Sequence, residues 1–143
     1  AEKPSFRSAF KKRRCLIVAT GFYEWHVQGR AKQPMWIGLR NQQPFAFAGL
    51  WEHWTSSDGQ PLETCTIITT EPNDLMAPIH NRMPVILAST AYDQWLDPTF
   101  QHTELLKALL RPYPSEELMA YAVSTLVNNP RHDAPQCLEP VPA

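Results

Sequence analysis

Short apolar or β-branched runs, separated by turn-forming residues, constrain this chain more than any other feature. The connections between them are short and rich in Gly, Pro, Asn, Asp and Ser, which is typical of hairpins. The main runs are residues 15–19, 21–27, 33–39, 45–54 and 64–70. Helical patterns are short and lie mainly after residue 90. We therefore predict an α+β fold with a largely antiparallel, curled or barrel-like β-sheet and a few short helices, mostly after residue 90.

Length and composition favour one globular domain over residues 1–143, since 43% of the residues are hydrophobic. No stretch approaches the roughly 20 apolar residues of a membrane span, and no cleavable leader opens the chain. We therefore expect a cytoplasmic protein. The three cysteines, Cys15, Cys65 and Cys137, are odd in number and widely spaced. This pattern predicts reduced, buried thiols rather than a disulfide framework.

The basic residues are unevenly distributed, although the net charge is only −1. Six of the 13 lie in the first 14 positions: Lys3, Arg7, Lys11, Lys12, Arg13 and Arg14. Such a cluster is either a phosphate-facing segment or a solvated chain end. Charge alone does not choose between these two interpretations.

Residues 77–84 (APIHNRMP) place an imidazole and a guanidinium between two prolines that stiffen the backbone. If this segment is rigid and extended, His80 and Arg82 point to the same side. They then offer a proton carrier beside a permanent cation suited to phosphate or carboxylate. The alternative is a surface turn in which His80 only bonds to the backbone.

Residues 21–25 (GFYEW) place a carboxylate among aromatic residues in a predicted strand. An apolar environment disfavours the charged form of a carboxylate, which would suit Glu24 to general acid–base chemistry. The pattern is equally compatible with an ordinary outward-facing strand glutamate.

Together, Glu24, His80 and Arg82 supply acid–base capacity and an anion-binding group, but no nucleophile. Apolar runs surround Cys15 and Cys65, and such surroundings disfavour the reactive thiolate. No spacing typical of zinc ligands links the candidate ligands His26, His53, His80 and Glu24. We predict neither a metal nor a cofactor.

Several separate motifs, in order along nearly the whole chain, resemble the SOS response-associated peptidase (SRAP) family. They are residues 21–25, 33–34, 47–51, 66–70, Asn73, 79–84, 123–124 and 127–129. The resemblance implies a protein that senses abasic sites in single-stranded DNA. Family members form a covalent thiazolidine crosslink through an N-terminal cysteine, which is exposed when the protein removes its own initiator methionine.

The resemblance also implies roles for individual residues. Glu24 matches the family's acid–base glutamate, and His80 matches its active-site histidine. Arg82 matches a position near DNA phosphate, and Trp25 matches an aromatic residue beside the site. We further predict that the basic residues Arg7, Lys11 and Arg14 contact DNA.

The chain departs from the family pattern at its start, where Ala1 stands and no N-terminal cysteine is present. We therefore expect this chain alone to be inactive in crosslinking, and we expect it to be a monomer. Two other functions stay open. One is a noncatalytic single-stranded DNA-binding module that uses the basic segment with Trp25 or Trp51 as stacking surfaces. The other is a peptidase that acts on other proteins.

Overall fold

The computed structural model describes residues 4–142. The chain divides into two compact units. The first unit comprises Ala1–Val18, Ala46–Thr70 and Pro84–Pro112. The second comprises Ala19–Phe45, Glu71–Met83 and Tyr113–Ala143. The single domain predicted over residues 1–143 stays a prediction.

The α-helices and strands are short and alternate with turns. The helices are α1 (Pro4–Lys12), α2 (Tyr92–Leu96) and α3 (Thr103–Ala108). The strands are β1 (Arg14–Ala19), β2 (Phe22–Gln28), β3 (Ala31–Leu39), β4 (Phe45–Thr55), β5 (Pro61–Ile67), β6 (Thr69–Thr70), β7 (Met83–Pro84), β8 (Ile86–Leu87) and β9 (Leu118–Ala122). Short 3₁₀ helices cover Ser89–Ala91, Ser115–Glu117, Thr125–Asn128 and Pro135–Leu138. In residues 4–142 no helix is long and apolar enough to cross a membrane.

The predicted α+β class with antiparallel pairing is confirmed. In the first unit, strands lie in the order β1-β4-β5, and β8 also pairs with β4. The second unit contains the sheet β2-β3-β9, in which both pairs are antiparallel. Within the described part of the chain no sheet closes into a barrel.

The core of the first unit forms where α1, α2 and α3 pack on one face of its sheet. Trp95, Val85 and Leu106 are fully buried there. The ring of Phe10 from α1 meets that of Trp95 edge-on, with ring centroids 6.0 Å apart. The helices are too short to be stable alone, so this apolar contact stabilises them.

Arg14 is the buried cation of the first unit, with 6% of its surface exposed. Its guanidinium donates to the carbonyl oxygens of Phe10, Lys11, Trp95, Asp97 and Phe100 at distances of 2.5–2.8 Å. Two of these carbonyls belong to the last turn of α1, where helices leave acceptors unpaired. Burial lowers the pKa of Arg14, and the Asp97 carboxylate opposes that shift. All five guanidinium N–H groups are thus engaged within the protein.

The cysteines are free thiols, but they are not equally buried. Cys15 is half-buried and Cys137 is buried, whereas Cys65 is exposed. The predicted burial of Cys65 is wrong because every residue of β5 is exposed. The apolar composition of that strand does not place it in the core.

In the second unit, two glycines make room for an aromatic side chain on the sheet. A Cβ atom added to Gly21 or to Gly38 would lie 2.3 Å from the indole of Trp36. That indole stacks on Tyr121 of β9, with ring centroids 5.1 Å apart. The small residue at position 21 therefore lets the chain enter β2 across the Trp36 ring.

The β-branched residues that follow strand β9 do not continue the strand. Strand β9 ends at Ala122, and the chain then enters the 3₁₀ helix Thr125–Asn128. Ser124 caps this helix, since its hydroxyl oxygen accepts the N–H of Leu126 at 3.2 Å. A side chain that satisfies a helix N-terminus thus overrides the β propensity of the segment.

We predict that Arg14→Met lowers the free energy of unfolding by about 3–5 kcal/mol, because it leaves buried carbonyls without donors. Arg14→Lys should lower the free energy of unfolding by less, since an ammonium keeps the charge but cannot reach all five acceptors. Urea denaturation should show a lower midpoint at unchanged slope. The control Arg7→Gln, at an exposed position of α1, should stay within about 0.5 kcal/mol of the parent chain. Equal midpoints for Arg14→Met and this control would contradict the role of Arg14.

Candidate active site

Glu24 and His80 come together in the second unit. The Glu24 Oε1 atom lies 3.9 Å from His80 Nε2, and their side chains are 25% and 42% exposed. Glu24 is thus partly buried and lies close to His80, so it is not an ordinary outward-facing strand glutamate. Because 3.9 Å exceeds hydrogen-bond length, a polar atom placed to one side of the line between the two groups can lie within about 3 Å of both.

The orientation of Glu24 follows from Pro34 on the neighbouring strand. The carbonyl oxygen of Pro34 accepts the N–H of Val123 at 3.0 Å, so the polar groups of Pro34 point away from β2. Trp25, which is paired with Pro34, therefore directs its own N–H away from β3. Glu24 Oε1 accepts that N–H at 3.2 Å, which draws the carboxylate to the outer edge of β2.

The predicted start of strand β3 differs from the observed one. The sequence predicted that β3 begins near Pro34, whereas it begins at Ala31. Proline is tolerated inside this strand because its missing N–H faces the Val123 carbonyl, which accepts the side-chain amide of Gln33 instead. The side chain of Gln33 bonds to the Pro34 and Val123 carbonyls at 3.0 and 2.9 Å and braces the same corner.

The segment that carries His80 is a turn rather than an extended chain. The amides of Met76 and Ala77 donate to the Asn73 carbonyl, and that of His80 donates to the Met76 carbonyl at 2.9 Å. The prediction that residues 77–84 are extended is therefore wrong for residues 77–79, which belong to this turn. The physical reason is Asn73, whose Oδ1 caps the turn through the Met76 N–H and whose Nδ2 donates to the Tyr113 carbonyl at 2.6 Å.

The ring of His80 is oriented by the backbone two residues later. The N–H of Arg82 donates to His80 Nδ1 at 3.1 Å. In the neutral imidazole the proton therefore lies on Nε2, the nitrogen that faces Glu24. In the protonated ring, Nδ1 can instead donate to the Arg82 carbonyl oxygen, 3.2 Å away. His80 thus makes the backbone contact foreseen for a surface turn and also faces the carboxylate.

A cavity of about 520 Å³ surrounds the pair. Its lining consists of Glu24, Trp25, Val27, Lys32, His80 and Asn128. The Trp25 indole N–H donates to Asn128 Oδ1 at 2.7 Å. Sequence reasoning placed Trp25 here but missed Lys32 and Asn128. The hairpin register could have revealed Lys32, which pairs with Val27 on the same face as Trp25.

The other predicted contacts differ in accessibility. Arg7, Lys11 and Arg82 are exposed. Arg14 is buried and all its donors are engaged, so the structure does not support it as a phosphate contact. Counting charges could not reveal this, because three of the five carbonyls that surround Arg14 come from residues more than 80 positions away. Trp51 is 36% exposed. Among residues 4–142 no three His, Cys, Asp or Glu side chains are grouped as a metal-ligand set.

Comparison with known proteins adds an independent finding. The model of the SOS response associated peptidase (SRAP) family matches residues 1–130. The chain is 48% identical over 140 residues to the abasic site processing protein YoqW of Bacillus subtilis. This match covers 97% of the chain and 62% of YoqW. It is 34% identical over 160 residues to the abasic site processing protein HMCES of Gallus gallus. This match covers 97% of the chain and 47% of HMCES. The chain thus spans less than two thirds of either relative.

A solved structure shares the fold. The crystal structure of a protein from Bacteroides thetaiotaomicron superimposes with a TM-score of 0.89 and is 33% identical in sequence. The match covers 98% of this chain and 62% of the other.

We predict that Asn73→Ala destabilises the turn that positions His80, because it removes the cap and the hydrogen bond that Asn73 donates to the Tyr113 carbonyl. The free energy of unfolding should fall by about 1–2 kcal/mol. Hydrogen exchange at the amides of Ala77 and His80 should accelerate. Asn81→Ala is the matched control, since Asn81 is exposed in the same segment. Unchanged exchange in Asn73→Ala would show that the turn does not depend on this side chain.

Proposed function

Because the chain belongs to the SOS response-associated peptidase family, we propose that it supplies the acid–base part of an abasic-site processing protein. The observation that supports this most is the approach of Glu24 to His80 at 3.9 Å inside a cavity. The substrate of the proposal is the ring-opened aldehyde of an abasic site in single-stranded DNA. We further propose that the protein is a monomer and that it acts in the cytoplasm.

The pair can perform the two proton transfers that imine formation requires. When an amine adds to the aldehyde carbon, the nitrogen must lose a proton, and the Glu24 carboxylate can accept it and pass it to the alkoxide oxygen, which gives a carbinolamine. The hydroxyl of the resulting carbinolamine must then gain a proton to leave as water. His80 in its protonated form can donate this proton from Nε2, the nitrogen that faces Glu24, and the ring then becomes neutral.

The nucleophile of the proposal is an N-terminal cysteine, as the resemblance implies. Its amine forms the imine, its thiolate adds to the imine carbon, and the nitrogen takes up a proton to complete the thiazolidine. The chain's own thiols are poor substitutes. Burial raises the pKa of the Cys15 thiol, Cys137 is buried, and no described residue lining the cavity is a cysteine. Removal of the initiator methionine by the same site would account for the family's peptidase name.

Contacts to DNA in this proposal combine stacking with charge. Trp25 lines the cavity and offers an aromatic surface for a base. Arg82 follows His80 in the chain and is exposed, so its guanidinium suits a phosphate near the reacting sugar. Arg7 and Lys11 are exposed on α1 and are proposed as further phosphate contacts.

Crosslinking to abasic DNA tests the chemistry. The chain alone should form no heat-stable adduct on an abasic single-stranded oligonucleotide, because Ala1 offers an amine without a thiol and an imine hydrolyses. The chain preceded by the family's N-terminal segment and cysteine should form one. Glu24→Gln in the extended protein should slow the reaction by about 10²- to 10⁴-fold, since glutamine cannot transfer a proton.

A denaturing gel after heating provides the measurement. Glu71→Gln is the matched control, because Glu71 is exposed and does not line the cavity. A stable adduct from the chain alone, or none from the extended protein, would refute the proposed reaction. Binding without an adduct in the extended protein would favour the noncatalytic binding module.

Salt dependence tests the phosphate contacts on α1. Reversing Arg7 and Lys11 to Glu should weaken binding to single strands of every sequence. Each lost contact should reduce the slope of log affinity against log salt by about 0.7, because fewer counterions are released. The control Arg111→Glu reverses an exposed charge outside α1 and should have a smaller effect. Unchanged affinity in the double variant would mean that the cluster is only a solvated chain end.

A further inference from the structure

The cavity contains two polar side chains that the acid–base pair does not use, Lys32 and Asn128. Lys32 pairs with Val27, two positions along β2 from Trp25, so all three side chains lie on one face of the sheet. That spacing corresponds to about 7 Å along the strand. Within residues 4–142 Lys32 belongs to no ion pair. Its charge is therefore available to a ligand in the cavity.

The amide of Asn128 has a defined orientation. The indole N–H of Trp25 can only donate, so the Asn128 atom 2.7 Å from it must be the oxygen. The NH₂ group, with two donors, is then the part of the side chain left for a ligand. Asn128 ends the 3₁₀ helix that Ser124 caps, and the preceding Val123 is tied to Pro34. The orientation is thus supported from the sheet.

Lys32 and Asn128 together offer only donors and one full positive charge. This combination suits the oxygens of a phosphodiester. Glu24 lies in the same cavity and repels an anion, which keeps a phosphate at the Lys32 end and away from His80.

We propose that Lys32 and Asn128 form a phosphate subsite that holds one backbone phosphate of the nucleic acid strand beside Trp25. By fixing this phosphate, the subsite determines which nucleotide faces Glu24 and His80. The inference rests on the proposed function. It adds two contact residues and specifies how the nucleic acid strand is positioned along the site.

Single-strand binding with a nonreactive abasic analogue, a tetrahydrofuran nucleotide, tests the subsite without any covalent step. Oligonucleotides in which one phosphate at a time is replaced by a neutral methylphosphonate locate the contact. For the unmodified chain, one linkage near the analogue should lose affinity by about two- to fivefold, the range of an exposed ion pair. Lys32→Gln should cause a similar loss and reduce the salt slope by about 0.7.

The decisive result is the combination of the two changes. At the contacted linkage, Lys32→Gln and the methylphosphonate together should weaken binding no more than either does alone. The control Arg40→Gln removes an exposed charge beyond the far end of β3, and its effect should add to that of the methylphosphonate. Additive effects for Lys32→Gln at every linkage would overturn the subsite while leaving the proposed function intact. Absence of binding by the unmodified chain would overturn both.

Two variants of Asn128 separate ligand binding from the support of Trp25. Asn128→Asp keeps an acceptor for the indole but replaces the donors by a negative charge, whereas Asn128→Leu removes both. The indole N–H signal of Trp25 in a ¹⁵N NMR spectrum should therefore shift only in Asn128→Leu. Both variants should weaken binding. Full affinity in Asn128→Asp with an unshifted indole signal would show that the amide donors do not contact the strand.

Discussion

The arrangement of the candidate site depends on the orientation of Pro34 in the middle of a β-strand. Proline has no N–H, and its carbonyl is bound by Val123, so its polar groups face β9 and not β2. The opposing Trp25 must then direct its N–H outward, where the Glu24 carboxylate accepts it. Strand geometry thus brings a carboxylate from one face of the sheet to the edge beside an indole on the other. A residue other than proline could take the same orientation. Proline excludes the alternative register, in which position 34 would have to donate its N–H to β2.

The second half of the site depends on side chains that cap turns. Asn73 closes the turn that delivers His80, and the Arg82 N–H fixes the tautomer of its ring. Because both contacts come from the backbone or from a short side chain, few degrees of freedom are lost when substrate binds. The proposed acid–base pair is therefore positioned before any ligand arrives, as proton transfer to and from the nitrogen and oxygen bound to one carbon requires.

Sequence reasoning predicted the strands because these follow from periodicity within short segments, and it placed Glu24 and His80 in one site through the resemblance to the family. It failed where distant parts of the chain interact. Arg14 appeared to be a DNA contact because three of its five carbonyl partners, that of Trp95 among them, lie more than 80 residues away. The turn before His80 was missed because Pro78 suggested an extended segment, whereas the Asn73 cap and the bond from the His80 amide to the Met76 carbonyl decide the conformation. Lys32 was missed because its place in the cavity depends on the hairpin register.

The central claim is that Glu24 transfers a proton during reaction with an abasic site, and chemical rescue tests it most directly. In the protein that carries the family's N-terminal cysteine, Glu24→Ala should crosslink slowly. Added formate or acetate should restore the rate in proportion to its concentration, because a small carboxylate can occupy the vacated space and exchange the proton. Chloride at the same ionic strength should have no such effect. A rate that does not respond to carboxylates, or that responds equally to chloride, would contradict the assignment of Glu24 as the proton-transfer group.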